Sequence, residues 1–237
     1  MLKDDNRHDG VLNGVETLEN NDTSTLSNKP HSNKQLQGGV HLELPNVDIT
    51  WDDDQLPREE NIQQEVKRAM LEWRKLITNT LETQLGKQAQ GAGPLAVVEL
   101  WRERSMVLRT LVEQLQEPRV KRVSKLAGQL DPESLHGFEV VTVQLETARE
   151  DATDNFHLLS TLDRHFKKLA QGRDFGAIAE TLPRLLEGLH LVWNISMHYK
   201  RGDHMEALME RIAWQVCESA RHAVNMCTLF RDDGEER

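Results

Sequence analysis

The stretch at residues 93–123, GPLAVVELWRERSMVLRTLVEQLQEPRVKRV, decides how the chain is read. Val97, Trp101, Leu108, Leu111 and Leu115 recur at spacings of four, seven, three and four, with Arg104 in the one polar slot of the stripe. That period belongs to an α-helix with one buried face. Pro94 suits a first turn, where its missing N–H has no intrahelical partner to lose. Glu99 and Glu103 oppose Arg102 and Arg104 on the polar sides, and Pro118 opens a further helix over about 118–129 through Val120, Val123 and Leu126. Such a pattern predicts a helix that holds something rather than one that reacts.

The same period extends in both directions. In 58–87, Ile62, Val66, Met70, Trp73, Ile77 and Leu81 form a coherent stripe, ended at Gly86 and the GAGP that follows. The longest candidate covers 132–171, entered through Asp131 and Pro132 as N-cap and first helical residue. Its stripe runs through Phe138, Val141, Leu145, Ala148, Ala152, Phe156, Leu159, Leu162 and Phe166 to Gly172. A break is expected in its middle, ETAREDATDN, which is poor in large apolar groups. A helix over 174–200 follows, with Pro183 marking a kink or a new start. The last covers 203–230, capped by Asp203, with Met205, Leu208, Ile212, Val216, Ala220, Val224 and Cys227 on one face. Five to six helices joined by short Gly/Pro connections predict an all-α, elongated helical bundle or stack. Aromatic residues at 5% are too few for a sheet-rich protein.

The region before residue 58 differs. Residues 1–57 hold eleven Asp and Glu against four Lys and Arg, so −7 of the net −10 lies there. Residues 1–39 are rich in Asn, Asp, Ser and Gly and are expected to be disordered, because they bury too little apolar surface to offset ordering entropy. VHLELPNVDI at 40–49 alternates briefly and is a candidate short edge strand, although no second strand is in view to pair with it. The expected division is therefore a variable acidic segment at 1–57 and a helical domain at 58–237.

Several functions lack their chemistry. No large basic face appears, so nucleic acid is not an expected partner. No run of about eighteen apolar residues occurs, so no membrane span is expected. Cys217 and Cys227, ten residues apart on one predicted helix, are separated by about 15 Å of rise, too far for a disulfide. They are expected as small buried apolar groups in a reducing compartment. Neither GxxxxGK[ST] nor GxGxxG nor HExxH is present, so no cofactor or metal is expected. The tightest polar cluster, His198, Tyr199, Lys200, Asp203 and His204, is most simply a solvated turn, with a metal or acid–base site as the sharper alternative. Trp73, Trp101, Trp193 and Trp214 lie in or beside apolar stripes and are expected to pack in the core. Trp51, in the acidic linker, is the Trp expected to meet another chain or stay exposed. The candidate partner contacts are Trp51, Trp101, Arg102, Arg104, Trp193 and Tyr199.

Read together, these stretches resemble the first conserved tail region of dynein heavy chains. GPLAVVELWRERSMVLRTLVEQLQEPRVKRV is similar to the opening of that region, with its Gly-Pro, Trp-Arg-x-Arg and Gln-Leu elements. MLEWRKLI at 70–77, EDATDNFHLLSTLDRHFKKLAQ at 150–171, LPRLLEGLHLVWNISMHYKRGDHM at 182–205 and ALMERIAWQVCESARHAVN follow in the family's order. The resemblance covers about residues 60–230 and points to axonemal rather than cytoplasmic heavy chains, of inner-arm type. It implies a tail that pairs heavy chains, carries intermediate and light chains, and associates with microtubules only indirectly, in the cytoplasm and the cytoskeleton of the cilium axoneme. Intact members are microtubule motor ATPases; these residues carry no AAA+ module or phosphate-binding loop, so no ATPase is implied for them. A free-standing helical adaptor or an inert remnant of the fold is the alternative.

Overall fold

The computed structural model describes residues 40–45, 60–172 and 175–224. Seven helices occur among them: α1 (Glu60–Gly86), α2 (Leu95–Leu115), α3 (Pro118–Leu130), α4 (Pro132–Ser160), α5 (Asp163–Gln171), α6 (Phe175–Ile195) and α7 (Gly202–Ala223). The apolar stripes are the buried faces. Val66, Met70, Trp73, Ile77 and Leu81 are buried on α1, and Val97, Trp101, Leu108, Leu111 and Leu115 on α2. Val120, Val123 and Leu126 are buried on α3.

Helix α4 packs against α1, α2 and α3, while α5, α6 and α7 pack on one another; α5 also touches α2 and α4. All the described residues belong to one compact unit, Gly38–Arg237, with a single contiguous core. Asp131 alone joins α3 to α4. Its carboxylate accepts from the Ser134 backbone N–H at 3.2 Å and the Ser134 hydroxyl at 3.0 Å, and Lys67 of α1 lies 3.6 Å away. Those hydrogen bonds, led by the backbone one, hold the carboxyl below the usual range.

The count of seven corrects the expected five to six, and the chain divides where the stripe gave no sign. Helix α4 continues through ETAREDATDN because Ala152 and Asn155 on its inner face are fully buried; small residues there let neighbouring backbones approach. The division falls at Thr161–Leu162 instead. The Thr161 N–H is shared between the carbonyls of His157 and Leu158, both at 3.3 Å, and the Leu162 N–H donates to Leu159 at 3.0 Å. This tight turn uses neither Gly nor Pro. Gly188 of α6 then fits against Leu162, since a Cβ there would sit 2.4 Å from the leucine Cδ2.

Pro183 neither ends nor restarts α6, which runs to Ile195. Pro183 and Ala179, whose carbonyl loses its partner, both face solvent, where water can satisfy that group. Helix α7 begins at Gly202, so Asp203 lies inside its first turn and is not its cap; it pairs instead with the Arg201 guanidinium at 3.0 Å. Cys217 is exposed rather than buried, and Cys227 lies outside the described residues.

Residues 40–45 lie against the helices and form no strand. The Gln114 side-chain amide takes the place of a neighbouring strand: its oxygen accepts from the Leu42 N–H at 2.7 Å, and its nitrogen donates to the Val40 carbonyl at 2.8 Å. The Trp73 indole donates to the Glu43 carbonyl at 2.7 Å, and the Leu42 side chain enters the core. The expected disorder of 1–39, the remainder of 40–49 and Trp51 lie outside the described residues. Between α1 and α2, Gly91 adopts φ 114°, which favours glycine. Arg211 of α7 donates to the Gly91 and Ala89 carbonyls and fixes that connection.

Because the Leu145 side chain is fully buried on α4, Leu145→Ala is expected to cost about 2–5 kcal/mol in urea denaturation. Val143→Ala, two residues away and 63% exposed, is expected to stay within about 0.5 kcal/mol of the parent.

Candidate functional site

The turn between α6 and α7, Ser196–Arg201, is where the polar residues singled out from the sequence converge. It is not a solvated turn. Tyr199 is buried, and its phenolic oxygen accepts from the Trp101 indole N–H of α2 at 2.9 Å. Ser196 is buried too; its hydroxyl donates to Asn155 Oδ1 of α4 at 2.6 Å and accepts from the Tyr199 N–H at 3.0 Å. The Asn155 amide in turn donates to the Asp151 carbonyl at 2.7 Å and to its carboxylate at 3.0 Å. Each member answers a buried polar group that would cost about 1–3 kcal/mol if left alone. The turn is thereby fastened to two helices of the other group.

Rings and charges close over this network. The His198 imidazole meets Trp101 edge-on at 4.7 Å and Tyr199 at 4.9 Å, and stacks on His204 at 3.9 Å with the planes 19° apart. The His204 ring is held through Nδ1, 3.0 Å from the His198 carbonyl oxygen. Arg104 is 7% exposed, lies 4.5 Å over the Trp101 ring and donates to the Lys87 carbonyl at 3.3 Å. Its polar slot in the stripe is thus a buried one: the guanidinium is fed into the core edge by a cation–π contact and the field of Asp151. Burial lowers its pKa, against the opposing pull of Asp151 and Tyr199.

This arrangement stabilises neutral groups. Burial pushes the Tyr199 hydroxyl up to about 12, and burial, reinforced by His204 and Arg104, pushes His198 down to about 4. Burial also raises the Asp151 carboxyl. The two histidines present stacked faces to one another rather than lone pairs to a common point. Among the described residues no three His, Cys, Asp or Glu side chains are grouped to hold a metal ion. No described helix is long and apolar enough to cross a membrane.

Of the six candidate partner contacts, Trp101, Arg104 and Tyr199 are therefore taken up inside the chain, where they bond to one another. Arg102 is exposed and lies 3.5 Å from Glu99. Trp193 is 37% exposed on α6 and Trp214 45% exposed on α7, so the core packing expected of both does not occur. Trp51 lies outside the described residues. Sequence reasoning missed Ser196 and Asn155, which are short polar residues at ordinary helical spacing, and their bond spans 41 residues. The surface beside them was missed as well: Ile195 is 54% exposed and Met197 76%. Both rim a groove of about 300 Å³ with Leu158, Asp151 and Asp154.

An unfolded chain holds the His198 imidazole near 6.5, whereas the folded turn holds it near 4. The unfolded state therefore takes up the proton first, and the contribution of this group to stability is complete above about pH 6.5 and lost as pH falls toward 4. In urea titrations across that window His198→Phe, which keeps the ring and removes the titration, is expected to show a flatter loss of stability than the parent.

The description "Dynein heavy chain, N-terminal region 1" matches residues 63–237. The chain is 34% identical over 207 residues, 87% of its length, to human "Dynein axonemal heavy chain 10". It is also 34% identical over 229 residues, 96% of its length, to the Chlamydomonas reinhardtii "Dynein-1-alpha heavy chain, flagellar inner arm I1 complex". The "Dynein gamma chain, flagellar outer arm" of the same alga is 26% identical over 164 residues. The chain spans about 5% of the length of the first two relatives and 68% of it aligns with the third, covering 4% of that protein. With its helices, its ordered motifs and three-quarters of its length matched to that region, the chain belongs to the dynein heavy chain family, as its N-terminal tail region.

Proposed function

We propose that this chain is a non-catalytic tail segment of an axonemal dynein heavy chain, which binds dynein intermediate chains, light chains and other heavy chains and contributes to assembly of the complex for ciliary movement. The observation that supports this most strongly is the match over residues 63–237, joined to 34% identity with two heavy chains whose names place them in axonemes and flagella. An inner arm is the favoured setting, since one of those two is named for the inner arm I1 complex. The proposed location follows: cytoplasm, cytoskeleton and cilium axoneme, with microtubules reached through the complex.

The domain division fits that role, with the working tail domain at 58–237 and the variable acidic segment at 1–57. Its chemistry is that of packing. No phosphate-binding loop occurs in the 237 residues, and the hydrogen bonds that hold the α6–α7 turn, Trp101 to Tyr199 and Ser196 to Asn155, are between neutral groups. Partner contact is assigned to the exposed Arg102 and Trp193 and to Trp51, which lies outside the described residues, whereas Trp101, Arg104 and Tyr199 are taken up in holding the α6–α7 turn. A half-exposed Trp on a helix flank is a side chain that gains by being covered.

A tagged chain incubated with ciliary extract is expected to recover dynein intermediate or light chains, identified by mass spectrometry. Trp193→Ala is expected to cut that recovery several-fold; because the side chain is 37% exposed, the variant's stability is followed in parallel by urea denaturation and recovery is compared where the chain stays folded. Recovery of no dynein subunit by the parent chain contradicts the assignment.

A further inference from the structure

The groove between α4 and the end of α6 differs from the rest of the surface in what lines it. One wall is apolar and exposed: Ile195 and Met197, the latter at 76% exposure, with exposed Leu191 one turn earlier on α6, beyond the groove's own lining. Leu158 of α4 faces them across about 300 Å³. The other wall is acidic. Asp154 is exposed and Asp151 is half-buried, and among the described residues neither has a cation within ion-pair distance. The Asp151 carboxylate has one side-chain donor, the Asn155 amide, while its neighbour Asp154 adds repulsion. Arg104 acts on it only from a distance, being committed to Lys87 and Trp101. A carboxylate drawn out of water without a counter-ion favours a cation brought to it.

We propose that this groove is a docking site for an amphipathic helix of another polypeptide, one that lays large apolar side chains against Leu191, Ile195 and Met197 and points a Lys or Arg at Asp151 and Asp154. The apolar wall follows an i, i+4 row of α6, Leu191 to Ile195, which is the spacing another helix can match. The paired carboxylates exclude an acidic helix and favour a basic one through complementary charge. A second copy of this chain is the less suited occupant: the chain carries −10, and its residues 58–237 alone are still net acidic, 28 Asp and Glu against 25 Lys and Arg. The groove is cut against buried Ser196 and Asn155, whose 2.6 Å hydrogen bond fixes its floor, so no rearrangement of the backbone is needed to receive the partner. The inference rests on reading this chain as a tail module that works through helix packing, and adds where one such contact lies and what it requires.

The test uses the full chain and two synthetic amphipathic helices with identical leucine spacing, one flanked by Lys and one by Glu, followed by fluorescence anisotropy. The Lys helix is expected to bind at least about tenfold tighter than the Glu helix at low salt, with the difference shrinking as salt is raised. Asp151→Asn with Asp154→Asn is expected to abolish that preference, and Met197→Glu, a surface change that leaves the helical circular dichroism intact, to abolish binding. Equal affinity for the two helices, no binding of either, or a dimer in sedimentation equilibrium that Met197→Glu dissolves overturns the proposal. If the Met197→Glu chain recovers dynein subunits from ciliary extract as well as the parent, the groove is not the contact, yet the tail assignment stands.

Discussion

The hydrogen bond from the Trp101 indole to the Tyr199 phenol is the constraint on which the rest of the structure depends. Trp101 belongs to the α1–α4 group, and Tyr199 to the turn that joins α6 to α7. Neither side chain can be buried without a partner for its polar atom, since an orphaned donor or acceptor in a dry interior costs about as much as the bond contributes. Each therefore requires the other's position. The bond is repeated in kind by Ser196 and Asn155, three residues earlier on the turn, which also joins the two groups. Apolar stripes bring seven helices together without direction; these few polar contacts select one arrangement of the two groups.

Much of the architecture was legible in the sequence because helical period and burial are the same fact seen twice. The stripes through Val66, Trp73 and Leu81, through Val97, Trp101 and Leu111, and through Val120 and Val123 name the buried faces residue for residue. Asp131 before Pro132 announced a cap, and the structure has it. The family was legible as well, through five stretches in the right order. What the period could not carry was the place where α4 ends. Thr161 and Leu162 turn the chain through shared carbonyls with no Gly or Pro, and Leu162 keeps its place in the stripe while doing so. The weak middle at 146–155 misled for the opposite reason: small side chains there reflect close packing against α2, not a break.

The candidate site was legible in its parts and not in its assembly. His198, Tyr199 and His204 stood out as a polar cluster, and local chemistry assigned them to a wet turn. The donor that satisfies the buried Tyr199 oxygen comes from Trp101, 98 residues earlier, and no local rule reaches that far. Arg104 was visible as a polar interruption in an apolar stripe; only the Trp101 ring beneath it explains why a charge is tolerated there. Conversely, Trp193 and Trp214 carried the composition of core residues but lie on helix flanks left open. A Trp in a stripe and a Trp beside one differ by one step around the helix, and that step separates burial within this chain from exposure. Gln114 shows the same limit: a polar residue near the end of α2 supplies the missing strand partner for Val40 and Leu42.

The match to the heavy chains lies in their N-terminal tail region. Buried hydrogen bonds fix the α6–α7 turn beside a surface that combines apolar Ile195 and Met197 with Asp151 and Asp154 of α4. The claim that this segment acts by assembling with dynein is tested most directly by expressing the tagged chain in a flagellated cell and sedimenting the axonemal extract through a sucrose gradient. The account predicts that the chain travels with the dynein complexes, far ahead of a free 27.2 kDa protein. A chain found only at the position of the free protein, with dynein sedimenting apart from it, would contradict it.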